Sequence, residues 1–275
     1  MKISRLHTVY FSPTGTTRKI TSAIAKTIQE ETGLPCREDD FTLPAARRNP
    51  LRFALHELVI FGMPVYAGRI PNMLLKYLAV TEGNGAYAVP VVVFGNRDYD
   101  DALAELRDLL EKNGLHILGA AAFVGEHAFS DTLAGNRPDE KDLMIAGNFA
   151  HAIKEKYEYV LQTGQNVPVE IKGTPYPYRG YYTPHDRNGN PVDIRKVKPL
   201  TRENCNNCKY CATVCPMGSI DTDDPRNIPG ICIKCGACIK KCPLHAKYFA
   251  DPSFLYHRDE LERTLKRRAE PEIFL

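Results

Sequence analysis

Over the first 165 residues the hydrophobic pattern switches repeatedly between short apolar runs and helical spacing. "HTVYFS" (7–12) predicts a buried strand. "RKITSAIAKTIQEETG" (18–33) sets Ile20, Ile24 and Ile28 on one face of an amphipathic helix, with Gly33 where a C-terminal cap belongs. "CREDDFT" (36–42) predicts a weak second strand, "ELVIFGMPV" (57–65) and "AVPVVVFG" (88–95) two central strands with no polar face, and "GLHILGAAAFVG" (114–125) a fifth. Between them lie the helical stretches "PNMLLKYLA" (71–79) and "YDDALAELRDLLEKNG" (99–114), the latter with Leu103, Leu106 and Leu110 on one face and Gly114 as its stop. A last helix follows "NRPDEKD", with Pro138 and acidic residues expected in its first turn, an apolar face from Leu143 to Val160, and Gly164 at its end. Strands buried on both faces and alternating with helices predict a parallel, doubly wound sheet.

Near residue 164 the pattern stops. "GTPYPYRGYYTPHDRNGNPVD" (173–193) is dense in Pro, Gly and Tyr, without periodicity. The expected division is an α/β domain over 1–165, a linker over 166–198, a cysteine-rich domain over 199–250, and a charged tail over 251–275 that could form a short helix. The net charge of +3 on 275 residues is too small to argue for nucleic acid. No apolar run reaches membrane-spanning length, and the N-terminus lacks the apolar core of a signal peptide, so a cytosolic protein is expected.

Of nine cysteines, only Cys36 lies outside 205–242, and it is assigned no function. Clustering of this kind, without a signal peptide, favours metal ligands over disulfides. Two runs read C-x2-C-x2-C-x3-C-P: Cys205, Cys208, Cys211, Cys215, and Cys232, Cys235, Cys238, Cys242. Zinc sites use two C-x2-C pairs across a longer loop, whereas three closely spaced thiolates wrap one face of a cubane. The doubled run resembles bacterial-type ferredoxins with two [4Fe–4S] clusters, in which the fourth cysteine of each run ligates the other cluster. The resemblance implies one cluster on Cys205, Cys208, Cys211 and Cys242, and another on Cys232, Cys235, Cys238 and Cys215. Many such ferredoxins are acidic; here Lys209, Lys234, Lys240, Lys241 and Lys247 surround the ligands, which should raise the potentials.

"SPTGTT" (12–17) leads from the first strand into a helix, where hydroxyls and free N–H groups can cradle a phosphate, though an ordinary N-cap turn uses the same residues. "GMPVYAGRIP" (62–71) and "FGNRDYDDA" (94–102) leave the next strands at the same sheet edge, where doubly wound sheets bind ligands. These loops, with the double cysteine run, resemble flavodoxin/ferredoxin fusion proteins (ferrodoxins). That likeness implies a five-stranded flavodoxin-like sheet of order 2-1-3-4-5 with a small α+β two-cluster ferredoxin domain. Ser12, Thr14, Gly15, Thr16 and Thr17 would hold the FMN phosphate. Pro64, Val65, Tyr66, Ala67 and Gly68, with Phe94, Gly95, Asn96, Arg97, Tyr99 and Asp100, would hold the ring. "GEHAFSDTLAGNRPD" (125–139) also resembles a segment of that family, which would set His127 near the ring, although a lone His at such a place is more often a structural hydrogen-bonder. The expected function is electron transfer between FMN and two clusters, serving redox partner proteins. The competing expectation is an FMN-dependent reductase of a small substrate, with His127, Arg97 and Asp100 as candidate groups. No acid–base pair is placed for a defined substrate.

Overall fold

The computed structural model describes residues 3–275. The chain begins β1 (Arg5–Tyr10), α1 (Thr16–Thr32), β2 (Cys36–Asp40), β3 (Glu57–Pro64), α2 (Leu75–Leu78), β4 (Tyr87–Phe94) and α3 (Ala102–Lys112). It continues through β5 (His116–Ile117), β6 (Ala120–Val124) and α4 (Glu140–Thr163). The cysteine-rich part holds β7 (Leu200–Thr201), α5 (Tyr210–Thr213), α6 (Ala237–Lys240) and β8 (Lys247–Tyr248), before α7 (Pro252–Thr264) and β9 (Glu272–Phe274).

The main sheet runs β2-β1-β3-β4-β6-β9, with β5 paired to β4. All pairings from β2 to β6 are parallel. This is the flavodoxin-like order, and alternation along the strands supplies both of its faces. Leu58 and Ile60 pack with Ile20, Ile24 and Ile28 of α1 and Phe149 and Ile153 of α4. Val59, Phe61 and Met63 pack on the other side with Leu103, Leu106 and Leu110 of α3.

Three details differ from the expectation. The fifth strand is broken: β5 and β6 are separated by Leu118 and Gly119, and a Cβ at Gly119 would lie 3.1 Å from the Phe274 carbonyl. Pro138 lies just before the first turn of α4, because Asp139 is the N-cap and forms a capping box with Asp142. The tail does form a helix, α7, but it also returns to the sheet. β9 pairs antiparallel with β6 (Ala121↔Ile273), covering an edge that would otherwise stay open. The tail is tied by Arg137, which donates to the Ala269 carbonyl while gripping the buried Asp142 with two hydrogen bonds.

The linker is equally bound. Tyr178 donates to Asp108 at 2.7 Å, and Arg69, paired with Glu105, lies 4.5 and 5.2 Å from the Tyr178 and Tyr181 ring centroids. Tyr182 N–H donates to the Ala67 carbonyl at 2.9 Å.

Candidate cofactor cavity and thiol sets

The turn into α1 shows how the sequence builds an anion cradle. Gly15 is its N-cap, at φ 99°. Ser12 Oγ accepts the Arg18 N–H at 2.9 Å, whereas the N–H groups of Thr14 to Thr17 find no acceptor among the described residues. Thr17 is 1% exposed and its Oγ1 has no hydrogen-bond partner. A buried unpaired hydroxyl costs about 1–3 kcal/mol. Its place beside a helix N-terminus fits a phosphate group.

Thr17 lines a cavity of about 940 Å³ together with Pro13, Thr14 and Thr16. Pro64 to Gly68 and Phe94, Gly95 and Arg97 form further walls. The 66–69 turn has positive φ at Ala67 and Gly68, and Gly68 cannot carry a Cβ without striking the Asp100 carboxylate, which pairs with Arg97. His127 lies on the same cavity beside Gly95. Its Nδ1 accepts the Phe129 N–H at 3.1 Å, so the ring proton sits on Nε2. Burial, then the neighbouring His257, Lys240 and Arg97, pull its pKa down to about 3, so the imidazole is neutral at physiological pH.

Not every candidate faces this space. Ser12 and Gly15 shape the first loop without lining the cavity. Asn96 instead ties down the tail: its amide donates to the Leu265 and Arg267 carbonyls, and its oxygen accepts from Ala269 N–H. Tyr99 is buried and donates to Glu272 at 2.7 Å. Asp100 holds Arg97 and does not line the cavity. Conversely, Phe129, Tyr181, Tyr182, Thr183, His257 and Leu261 line it; the tyrosine-rich linker 174–184 offers itself in sequence as a cover over the flavin, whereas Phe129, His257 and Leu261 carry no local signal for that role. The tyrosine density of the linker was the one available signal.

The two cysteine runs fold alike. Positive φ recurs at matching positions: Asn207 and Lys234, Lys209 and Gly236, Gly218 and His245. Each fourth cysteine accepts an N–H four residues on, Cys215 from Ser219 and Cys242 from Ala246, both at 3.3 Å. Cys205, Cys208 and Cys211 line one cleft together with Cys242, across the two runs. In the other set, burial and then the nearby thiols Cys232 and Cys215 push the Cys235 thiol up to about 12. Burial and then Cys235, Cys232 and, after Lys247, Cys215 likewise raise Cys238. Thiols in such a place ionise on binding metal. Among the described residues no three His, Cys, Asp or Glu converge on a point that one ion could occupy. The cleft lined by four cysteines has the donor set that a cube of iron and sulfide requires.

The second set faces the cavity. Cys232, Ile233, Lys234 and Cys235 line it, and Ile233 packs against the core of the sheet domain. Burial, followed by Cys235 and Cys232, raises the Tyr66 hydroxyl well above its ordinary value, and Tyr66 lines the cavity together with both cysteines. Glycine at 236 is required because a Cβ would lie 2.5 Å from the Ala128 carbonyl, whereas the matching Lys209 is exposed. Lys240 of α6 reaches Glu126 and the Ser130 carbonyl, and Arg47 donates to the Pro216 carbonyl at 2.6 Å. In the first set Cys208 is exposed.

Residues 204–247 match the family described as the 4Fe-4S dicluster domain. A flavodoxin from the domain Archaea is 15% identical, covering 56% of this chain and 99% of its own, with a TM-score of 0.40. Flavodoxin 2 from Bacillus cereus is 16% identical over 55% of this chain and 99% of its own, with a TM-score of 0.41. The apo form of the NADH:FMN oxidoreductase EmoB is 17% identical over 57% of this chain and 89% of its own, with a TM-score of 0.40. No curated protein matches the chain. The chain thus joins a sheet of flavodoxin-like order to a segment that matches a 4Fe-4S dicluster domain. Among the described residues no helix is long and apolar enough to cross a membrane.

Proposed function

We propose that this protein transfers electrons between one FMN and two [4Fe–4S] clusters held in a single chain, exchanging them with a redox partner protein. FMN supplies one- and two-electron chemistry and each cluster one-electron chemistry. One observation carries the reading: the loops suited to a flavin, Tyr66 among them, line the same cavity as Cys232 and Cys235. Thr14, Thr16 and Thr17 would hold the phosphate, and residues 64–68 with Phe94, Gly95 and Arg97 the ring. Cys205, Cys208, Cys211 and Cys242 would ligate the outer cluster, and Cys232, Cys235, Cys238 and Cys215 the inner one. The exposed Cys208 side is the port for the partner. Cofactor analysis of anaerobically purified protein tests this: about one FMN with about eight iron and eight sulfide is expected. Zinc in place of iron, or iron without flavin, overturns it.

A second reading, an FMN-dependent reductase of small molecules, is favoured by the linker and α7, which wall the cavity against a protein-sized acceptor.

Two substitutions probe the chain's own contribution. Thr17→Val deletes a hydroxyl unpaired without ligand, so the flavin-free protein should melt higher while FMN affinity falls about tenfold. A thermal scan and a flavin titration measure these opposite signs. Lys234, 9% exposed, donates to the Arg195 and Cys232 carbonyls and has no carboxylate partner among the described residues. A buried cation beside the inner cluster favours its reduced form. Lys234→Met should lower that cluster's potential by ~60 mV, equivalent to about 1.4 kcal/mol for one electron, and leave the outer one unmoved in an EPR-monitored titration.

A further inference from the structure

Part of the cavity wall belongs to neither the flavin loops nor the thiol loops. It comes from the linker (Tyr181, Tyr182), the 125–131 loop (Phe129) and α7 (His257, Leu261), facing Arg97. A tether has no need of such a wall. The pieces are mutually organised. The Arg97 guanidinium lies 4.4 Å from the Tyr182 ring centroid, and His257 lies 5.7 Å from Tyr182 and 6.4 Å from Phe129.

His257 carries the argument. It is 3% exposed, lines the cavity, and its Nδ1 is buried without a hydrogen-bond partner. Burial lowers its pKa, so the ring offers one donor and one acceptor rather than a charge. A neutral, under-bonded imidazole between aromatic faces, beside a guanidinium, is the lining expected for a flat ligand with an oxygen acceptor. At about 940 Å³ the whole cavity stands near the top of the range for small-molecule sites.

Building on the reductase reading, we infer that this end of the cavity is a separate subsite for small, flat, conjugated carbonyl compounds. Tyr182 and Phe129 bound the plane of the ligand. Arg97 and His257 supply the polar contacts to its oxygen, and Leu261 closes the apolar side.

The test uses the flavin-loaded full chain and three probes: 4-hydroxyacetophenone, cinnamate and 2-cyclohexenone. The chain contains no tryptophan, and binding is followed by the visible flavin band and independently by calorimetry. Saturable binding of at least one probe is expected, weakened about tenfold in His257→Ala and in Tyr182→Leu at unchanged flavin content. Met144→Ala, at an exposed position of α4 outside the cavity, should bind as the parent does. Absence of saturable binding for all three probes overturns the subsite, as does binding that neither substitution weakens. If the chain takes up no flavin, the flavin reading fails separately, and calorimetry with the same probes and variants still decides the subsite.

Discussion

Replacing Cys242 with alanine is expected to remove the cluster assigned to Cys205, Cys208 and Cys211, the run that lies farther from it in sequence. Cys242 closes the cleft lined by those three cysteines, and its sulfur accepts the Ala246 N–H there. Iron and sulfide should fall from about eight of each to about four, the remaining set being the inner one. Cys215→Ala should give the complementary loss, because Cys215 lies near Cys232, Cys235 and Cys238. The two variants differ in function as well. Loss of the outer cluster leaves the cavity wall of Cys232 to Cys235 intact but removes the partner's port. Loss of the inner one separates that port from the flavin cavity. Each should slow flavin reduction by an external one-electron donor by orders of magnitude while FMN content stays unchanged. Two variants that lost the same cluster, judged by their EPR signals, would contradict the crossed assignment.

The doubled cysteine run was legible in sequence because it is written in local spacing. The sheet was legible for a similar reason: Ile20, Ile24 and Ile28, or the unbroken runs of β3 and β4, report their own burial. What escaped were contacts with no local signature. Asn96 and Tyr99 sit in a loop at the ligand-bearing edge of the sheet, yet they are spent on the tail, whose return to β6 depends on residues about 170 positions later. Nothing in the local sequence of the charged tail marks His257, which joins the cavity wall only because α7 packs beside Tyr182. A lone polar residue on a short helix does not announce what it will face.

Asp101→Ala is expected to release the linker and open the cavity. Asp101 is 0% exposed and accepts from Thr174 N–H and Arg179 N–H, both at 2.8 Å, and from the Arg179 side chain. Burial alone would raise its pKa, but the Arg179 side chain and the two backbone donors outweigh it and hold the carboxyl well below its usual range. A group depressed in the folded state contributes its full stabilisation above its unfolded value, about 3.9, and loses it only as pH falls through the lower folded value. The clamp should therefore stay intact throughout mildly acidic and neutral pH, and its removal by mutation should matter equally across that range. Residues 173–182 have few other ties: Tyr178 to Asp108, Tyr182 to Ala67, and Arg69 to Arg179. Losing the buried acceptor should raise the open population of the linker about tenfold or more, equivalent to roughly 1.4 kcal/mol. Tryptic cleavage after Arg179 reads that opening directly, and iodide quenching of the flavin reads the exposure of the cavity behind it. If cleavage accelerates while quenching does not, the linker is clamped by Asp101 but does not cover the flavin. If neither changes, Tyr178 and Tyr182 hold the segment without the carboxylate.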